Sequence, residues 1–196
     1  DAVKFRRVSL RSLKMFKKIL LSVIVIVSAV VALFCVVAAF QPEDFVITRT
    51  SSIEALPSAI FDQIDDFHNW ETWSPWAKID PTMRSTYSGP AKGVGAAYAW
   101  SGNGDAGEGK MTILESRPPN RIKIDLEFAK PIAARNVIEF AMVTEGDKTN
   151  VTWTMTGKRN FGMKAFSLLV NMDKLVGSDF EKGLSQLRSK VETGNK

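Results

Sequence analysis

Between Arg121 and Phe128 the chain alternates strictly. Ile122, Ile124, Leu126 and Phe128 take one side, and Lys123, Asp125 and Glu127 take the other. A period of two predicts a β-strand with one buried and one wet face. The same pattern recurs along the chain. Phe45 to Ile53 is alternating and β-branched, and Tyr98 and Trp100 share a face with Ala96. Met111 and Ile113 pair within Lys110 to Glu115. Ile138, Phe140 and Met142 line one side of Asn136 to Val143, and Val151 to Met155 follows with Trp153 between. Two stretches change period. Pro57 to Phe67 sets Ile60, Phe61, Ile64 and Phe67 on one helical face behind an initial proline. From Met163 onward, Phe166, Leu169, Met172, Val176, Phe180, Leu184 and Leu187 recur at steps of three and four, predicting one helix of about 25 residues. One long amphipathic helix against one antiparallel sheet is a two-layer α+β arrangement.

One segment fits neither period. Phe67 to Pro81 reads FHNWETWSPWAKIDP and holds Trp70, Trp73 and Trp76 of the chain's five tryptophans. Spaced by threes beside Pro75 and Pro81, they cannot share a strand face. The expectation is a short helix or turn that presents aromatic surface at the rim of the apolar core.

Ahead of the alternating region, Ile19 to Phe40 is apolar apart from Ser22 and Ser28. At 1.5 Å per residue its 22 residues extend about 33 Å, enough to cross a hydrocarbon core of about 30 Å. A cleaved signal sequence has a shorter apolar region and a small-x-small site. Ala38-Ala39-Phe40 is a poor such site, and Phe34 is too bulky to precede a lipoprotein cysteine at Cys35. The expectation is an uncleaved transmembrane helix over 19–40. The chain opens on Asp1 rather than Met, consistent with residues upstream.

Charge supports an orientation. The net charge of +5 is concentrated at the start, where residues 1–18 carry seven basic residues (Lys4, Arg6, Arg7, Arg11, Lys14, Lys17 and Lys18) against Asp1. The remainder is nearly neutral. The positive-inside bias puts residues 1–18 in the cytoplasm and the domain beyond Gln41 on the far side. The basicity is then a topology signal with some affinity for anionic headgroups, and nucleic-acid binding is not expected. Cys35, the only cysteine, lies in the apolar run, so the domain has no disulfide, thiolate nucleophile or cysteine metal site.

Polar motifs offer little chemistry. His68, the sole histidine, follows Asp65 and Asp66 and could act as a base held by a carboxylate, but it reads better as an exposed residue after a helix. Ser74-Pro75 has no base nearby in sequence. Gly102-Asn-Gly-Asp-Ala-Gly107 matches G-x-G-x-x-G, yet Lys110-Met-Thr-Ile-Leu after it reads as a strand, where a dinucleotide site needs a helix. It is expected to be a glycine-rich hairpin. The Asn150-Val-Thr152 sequon begins a predicted strand. Among Glu108, Glu115 and Glu139, parity sends Glu139 outward and groups Glu115 with Met111 and Ile113, making Glu115 the cavity-edge carboxylate. No catalytic set, cofactor or metal site is expected.

These segments in order carry a resemblance. WETWSPWAKIDP, YSGPAKGVGAAYAWSGN, GEGKMTILES, RIKIDLEFAKP and a helix with NMDKLVGSDFEKGLSQL resemble the START-like superfamily. Within it, the chain is similar to bacterial polyketide cyclase/dehydrase-type (SRPBCC) proteins with an amino-terminal membrane anchor, over residues 42–192. The resemblance implies a helix-grip (START/Bet v 1-like) fold, a curved antiparallel sheet wrapped around a long carboxy-terminal helix and an apolar cavity. It implies binding or carriage of a hydrophobic, lipid-like molecule, with an enzymatic minority and no catalytic motif to transfer. The residues expected around the cavity are Trp73, Trp76, Tyr98, Trp100, Met111, Ile113, Phe128, Phe140, Met142, Trp153, Met155 and Met172, with Trp73, Trp76 and Tyr98 at the mouth. Large aromatics and several methionines suit an adaptable apolar lining. The expected protein is a single-pass bacterial inner-membrane protein with a periplasmic domain. Two other readings stay open, a cyclase or hydrolase using the same cavity and a protein-interaction domain docking through exposed tryptophans.

Overall fold

The alternating segments pair into one sheet because each can bury its apolar side against the same helix. The computed structural model describes residues 2–193, with side chains from Met15 onward. Asp1 and the side chains of Lys4, Arg6, Arg7, Arg11 and Lys14 lie outside the described residues. The chain forms two compact units, Asp1–Pro42 with Asn160–Leu169, and Glu43–Arg159 with Val170–Lys196.

The first unit holds helix α1 (Ala2–Ala39) and the short helix α3 (Phe161–Ser167). Within α1, Met15–Ala39 is long and apolar enough to cross a membrane, with mean hydropathy 3.2.

The second unit begins with β1 (Asp44–Ile53), α2 (Pro57–Asp65) and a 3-10 turn (Phe67–Thr72). Strands β2 (Arg84–Ser88), β3 (Ala97–Ser101), β4 (Glu108–Arg117), β5 (Arg121–Lys130), β6 (Ala134–Glu145) and β7 (Lys148–Lys158) follow, and α4 (Met172–Thr193) closes the unit. All seven strands pair antiparallel in the order β1-β7-β6-β5-β4-β3-β2. The sheet is curved around α4, giving the helix-grip α+β fold. Phe180, Leu184, Leu187 and Val191 are the buried apolar face of α4.

Arg49 fixes α4 to β1. Its Nε donates to Glu181 Oε1 at 2.7 Å, Nη1 to the Thr48 carbonyl at 2.8 Å and Asp173 Oδ1 at 3.2 Å, and Nη2 to the Asp173 carbonyl at 3.0 Å and Oδ2 at 3.1 Å. All five guanidinium N–H groups are thus used. Asp173 and Glu181 flank Gly177 by one turn each, and a Cβ on Gly177 would overlap the guanidinium. The Asp173 carboxyl is held below its ordinary range by the hydrogen bond from Arg49.

Two expectations need correction, and one strand had none. The predicted carboxy-terminal helix is two helices, because Asn171 interrupts the run and accepts from Lys174 N at 3.0 Å as the cap of α4. Phe166 and Leu169 therefore belong to the other unit, although their spacing continued the period. Strand β2 lacked any apolar alternation to announce it, being a short, mostly exposed edge strand. The tryptophan segment is a short 3-10 turn at the edge of the core as expected, but two of its three rings do not reach the surface. Trp70 and Trp73 are buried, with their indole N–H groups donating to the Ile64 carbonyl at 2.9 Å and the Gln63 carbonyl at 3.1 Å. Those are among the last carbonyls of α2, which have no partner within the helix. The rings fill the core while their single polar atoms cap a helix.

Candidate functional site

The concave face of the sheet divides by burial. In one half, β5 to β7 contribute Ile122, Ile124, Phe140 and Trp153, all fully buried. Trp153 lies face to face with Phe180 of α4 at 4.3 Å between ring centroids, and Phe140 is 4.7 Å away. Trp70, Trp73 and Trp76 meet Trp153 edge-on at 6.3, 5.9 and 5.8 Å. A Cβ on Gly183 would lie 2.8 Å from the Trp153 ring and 3.1 Å from Pro75. The tryptophan segment closes this half over, leaving Trp73, Phe140 and Trp153 with at most 1% of their surface exposed.

The other half lies toward Lys158 along β7. Its floor is Met111, Leu126 and Met155, which keep 7–8% of their surface. Its walls are half-buried, namely Phe45, Tyr98, Trp100, Phe128 and Val176. Tyr87, Tyr98 and Trp100 form a connected aromatic row with centroid separations of 5.3 and 5.9 Å, and Phe128 meets Trp100 edge-on at 5.8 Å. Trp100 is held by its N–H to the Ala106 carbonyl at 3.0 Å, and Tyr98 Oη shares a 3.2 Å hydrogen bond with Ser85 Oγ. The Arg159 guanidinium stands 5.4 Å above the Phe45 ring, so this half carries a cation beside Phe45.

Two polar atoms on the concave face are buried without a hydrogen-bond partner, Asn136 Oδ1 and Trp153 Nε1. Asn136 sits on β6 between Leu126 of β5 and Gly157 of β7. A buried unpaired amide or indole costs about 1–3 kcal/mol. Ser116 and Thr149 on the same face are satisfied, by Asp65 Oδ1 at 2.7 Å and the Ala55 carbonyl at 2.7 Å.

The predicted lining residues separate accordingly. Trp73, Ile113, Phe140, Met142 and Trp153 lie in the solid core, so Trp73 is not at a mouth. Tyr98, Trp100, Met111, Phe128 and Met155 come together in the more open half, and Trp76 is half-buried against Trp153 and Phe180. Met172 is half-buried at the first position of α4, and Val176 one turn later is the residue that packs on the core. Phe45, Tyr87, Leu126, Asn136 and Val176 were missed. Asn136 shares strand parity with Ile138 and Phe140, so alternation already marked it as an inward polar residue.

The candidate acid–base groups sit elsewhere. A register shift between Ile113 and Glu115 inserts an extra residue in β4. Beyond the bulge the faces exchange, so Ser116 points inward and Glu115 pairs with Lys123 on the outer face. There it lies 2.7 Å from Arg117 and 3.8 Å from Arg121. This corrects the inward reading of Glu115. Glu139 is on the outer face as expected, 2.7 Å from Arg121.

His68 is more than half exposed, its Nδ1 2.7 Å from Asp66 Oδ1 and its ring stacked 4.0 Å from Tyr87. The Tyr87 hydroxyl donates to Glu71 at 3.1 Å, and burial, followed by Glu71, raises its pKa. The Gly102–Gly107 stretch leads into β4, not a helix. Asp80 accepts from Asn103 N at 2.7 Å, and that bond, with those from Thr82, holds its carboxyl below the ordinary range. A protein carboxylate thus occupies the backbone donor at the start of the loop. Among the described residues no three His, Cys, Asp or Glu side chains converge as metal ligands.

A seven-stranded antiparallel sheet gripping one long carboxy-terminal helix defines the class of protein. Residues 44–192 match the family described as Polyketide cyclase / dehydrase and lipid transport, and the chain belongs to that family. Solved structures share the fold at low identity. Protein CV1439 of Chromobacterium violaceum is 14% identical with TM-score 0.53, covering 77% of this chain and 99% of its own. Protein MLL2253 of Mesorhizobium loti is 14% identical with TM-score 0.56, covering 76% and 98%. A protein of Staphylococcus epidermidis is 18% identical with TM-score 0.53, covering 79% and 92%. Comparison with curated proteins gives no match.

Proposed function

We propose that this chain is a membrane-anchored binding or carrier protein for a hydrophobic, lipid-like small molecule held in the accessible half of the concave face. The carrying observation is the burial gradient along β5 to β7. Fully buried Ile122, Phe140 and Trp153 give way along β5 and β7 to Leu126 and Met155, which keep 7–8% of their surface, and to half-buried Phe128 beyond them. A large apolar surface with few polar groups is the usual form of a small-molecule site. Burying about 300 Å² of apolar ligand at about 25 cal/mol per Å² yields about 7–8 kcal/mol before ordering costs, enough for micromolar binding. Asn136 Oδ1, which lies under Gly157 and the Phe45 ring, accepts from a ligand donor only if that ring moves aside, and Arg159 adds a cation beside Phe45. Docking of a protein partner through the tryptophan segment would have only half-buried Trp76 to offer, since Trp70 and Trp73 are buried.

Helix α1 is the anchor in this reading. Met15–Ala39 has the length and hydropathy of a span, and the basic residues of 1–18 support a cytoplasmic amino end. The domain is then periplasmic, in a bacterial inner membrane.

Mass spectrometry of the full chain purified in detergent tests the binding reading, run native and after organic extraction. A stoichiometric lipid or isoprenoid is expected. An empty protein that also takes up no apolar fluorescent probe would overturn the reading.

A further inference from the structure

Helix α3 is turned inside out. At about 100° per residue, Phe161, Gly162, Ala165, Phe166 and Leu169 fall within an arc of roughly 140°, and Met163, Lys164 and Ser167 occupy the opposite side. Phe161 is 53% exposed, Phe166 51% and Leu169 75%, whereas Lys164 is buried at 8%. A helix whose free side meets water has the reverse arrangement, with its charges outward and its large apolar residues covered. The rotation of α3 is fixed at its start, where Asn160 Oδ1 accepts from Met163 N at 2.9 Å. Leu169 extends the turn through its N–H to the Phe166 carbonyl at 3.0 Å.

The medium that suits this face is indicated by the other member of the same unit. α3 packs against α1. From Met15 to Ala39 every side chain of α1 is exposed except Phe34, half-buried, and Ala38, buried. These two are one turn apart on a single face and within about 8 Å of the helix end. α3 therefore lies beside the last turns of α1, at the depth where a spanning α1 leaves the hydrocarbon.

We propose that α3 is an interfacial helix, with Phe161, Phe166 and Leu169 inserted at the boundary of headgroups and acyl chains on the side where α1 emerges. An apolar helix face in the interface plane is the ordinary arrangement for such segments. The chain then meets the bilayer twice, through α1 and again through 160–169, some 120 residues later. The inference rests on the reading of α1 as a membrane span.

The test uses the full chain with Cys35→Ser and single cysteines at Val25→Cys, Phe166→Cys, Leu169→Cys or Ser185→Cys. Each is spin-labelled and reconstituted in phosphatidylethanolamine/phosphatidylglycerol vesicles. Labels at 166 and 169 are expected to collide with oxygen in preference to a water-soluble nickel chelate, as at 25, with the opposite preference at 185. If 166 and 169 match 185 while 25 stays in lipid, the interfacial assignment falls and the anchor stands. If 25 is open to the nickel chelate, both fall. Hydrogen exchange guards against a label that draws the helix into lipid. Amides of 160–169 should exchange at least about tenfold faster in the unlabelled Phe166→Asp/Leu169→Asp chain than in the native chain in the same vesicles. Equal rates would overturn the assignment.

Discussion

The two halves of the concave face are built on the same strands and covered by the same helix, yet one is solid and the other is accessible. The difference is the segment from Phe67 to Trp76. Its three tryptophans converge on Trp153 and fill the space between sheet and α4, with two of their polar atoms consumed by the end of α2. Toward Met155 and Leu126 the covering residues are the half-buried Phe45, Trp100, Phe128 and Val176. One half therefore supplies the stability that the other gives up. Apolar surface left in contact with water contributes little to folding and is available to a ligand.

The largest effect should come from breaking the solid half. Trp153→Ala removes the ring that five aromatic neighbours touch and should destabilise the protein by about 3–5 kcal/mol. Phe128→Ala in the accessible half should cost less than half as much, about 1–2 kcal/mol, but weaken binding of an apolar fluorescent probe about tenfold. Urea titration followed by fluorescence, paired with probe binding, separates the two. Equal destabilisation by both variants would mean that the face is one continuous core.

Gly183 tests the plug from the helix side. Gly183→Ala drives a methyl toward Trp153 and Pro75, for an expected cost of about 1–3 kcal/mol. Probe affinity should be unchanged, because the strain falls outside the half proposed to bind. A large loss of affinity with little loss of stability would reverse the assignment of the two halves.

Much of this division was hidden in the sequence for identifiable reasons. Alternation gave β5 to β7 and the inward set Ile122, Ile124, Phe140 and Trp153, because a strand with one wet face writes its parity directly. It failed at Glu115, where one bulged residue exchanges the faces without altering composition. Helical spacing ran through Leu168–Asn171 because Phe166 and Leu169 satisfy a period while belonging to another unit. The spacing of the tryptophans fits no regular face and so points to the surface. Their burial depends on the carbonyls of α2, a tertiary partner that no local pattern reveals. The family was legible from the order of segments, and the uneven filling of its concave face was not.

Asn136 sharpens the comparison at the polar level. Its buried Oδ1 lacks a partner, so Asn136→Leu should leave stability unchanged or raise it by about 1–2 kcal/mol, since an apolar group of similar size removes the desolvation cost. Affinity for a ligand bearing a hydroxyl or amide donor should fall about tenfold, and that for a purely hydrocarbon probe should not. Thermal melting and competition binding would show the opposite signs. Loss of stability instead would mean that the amide is a structural tie within the core.

The smallest effect expected is on the convex side, at Asp125. This carboxylate on β5 is buried and takes two 2.8 Å hydrogen bonds from Arg135. Those bonds hold its pKa below the ordinary carboxylate value, against the opposing effect of burial. A depressed folded pKa contributes stability that is fully present above the unfolded value, near 4, and is lost as pH falls through the depressed one. Asp125→Asn should therefore flatten part of the acid limb of the stability profile and leave neutral pH behaviour of the ligand face untouched. The Arg135 side chain is largely exposed, so solvent screening keeps the change small. Probe affinity that holds from neutrality down to about pH 5 and then falls only with unfolding would match a binding face without a titrating group. A break in affinity within the folded range would instead bring a titrating group into the accessible half, and would reopen the enzymatic reading.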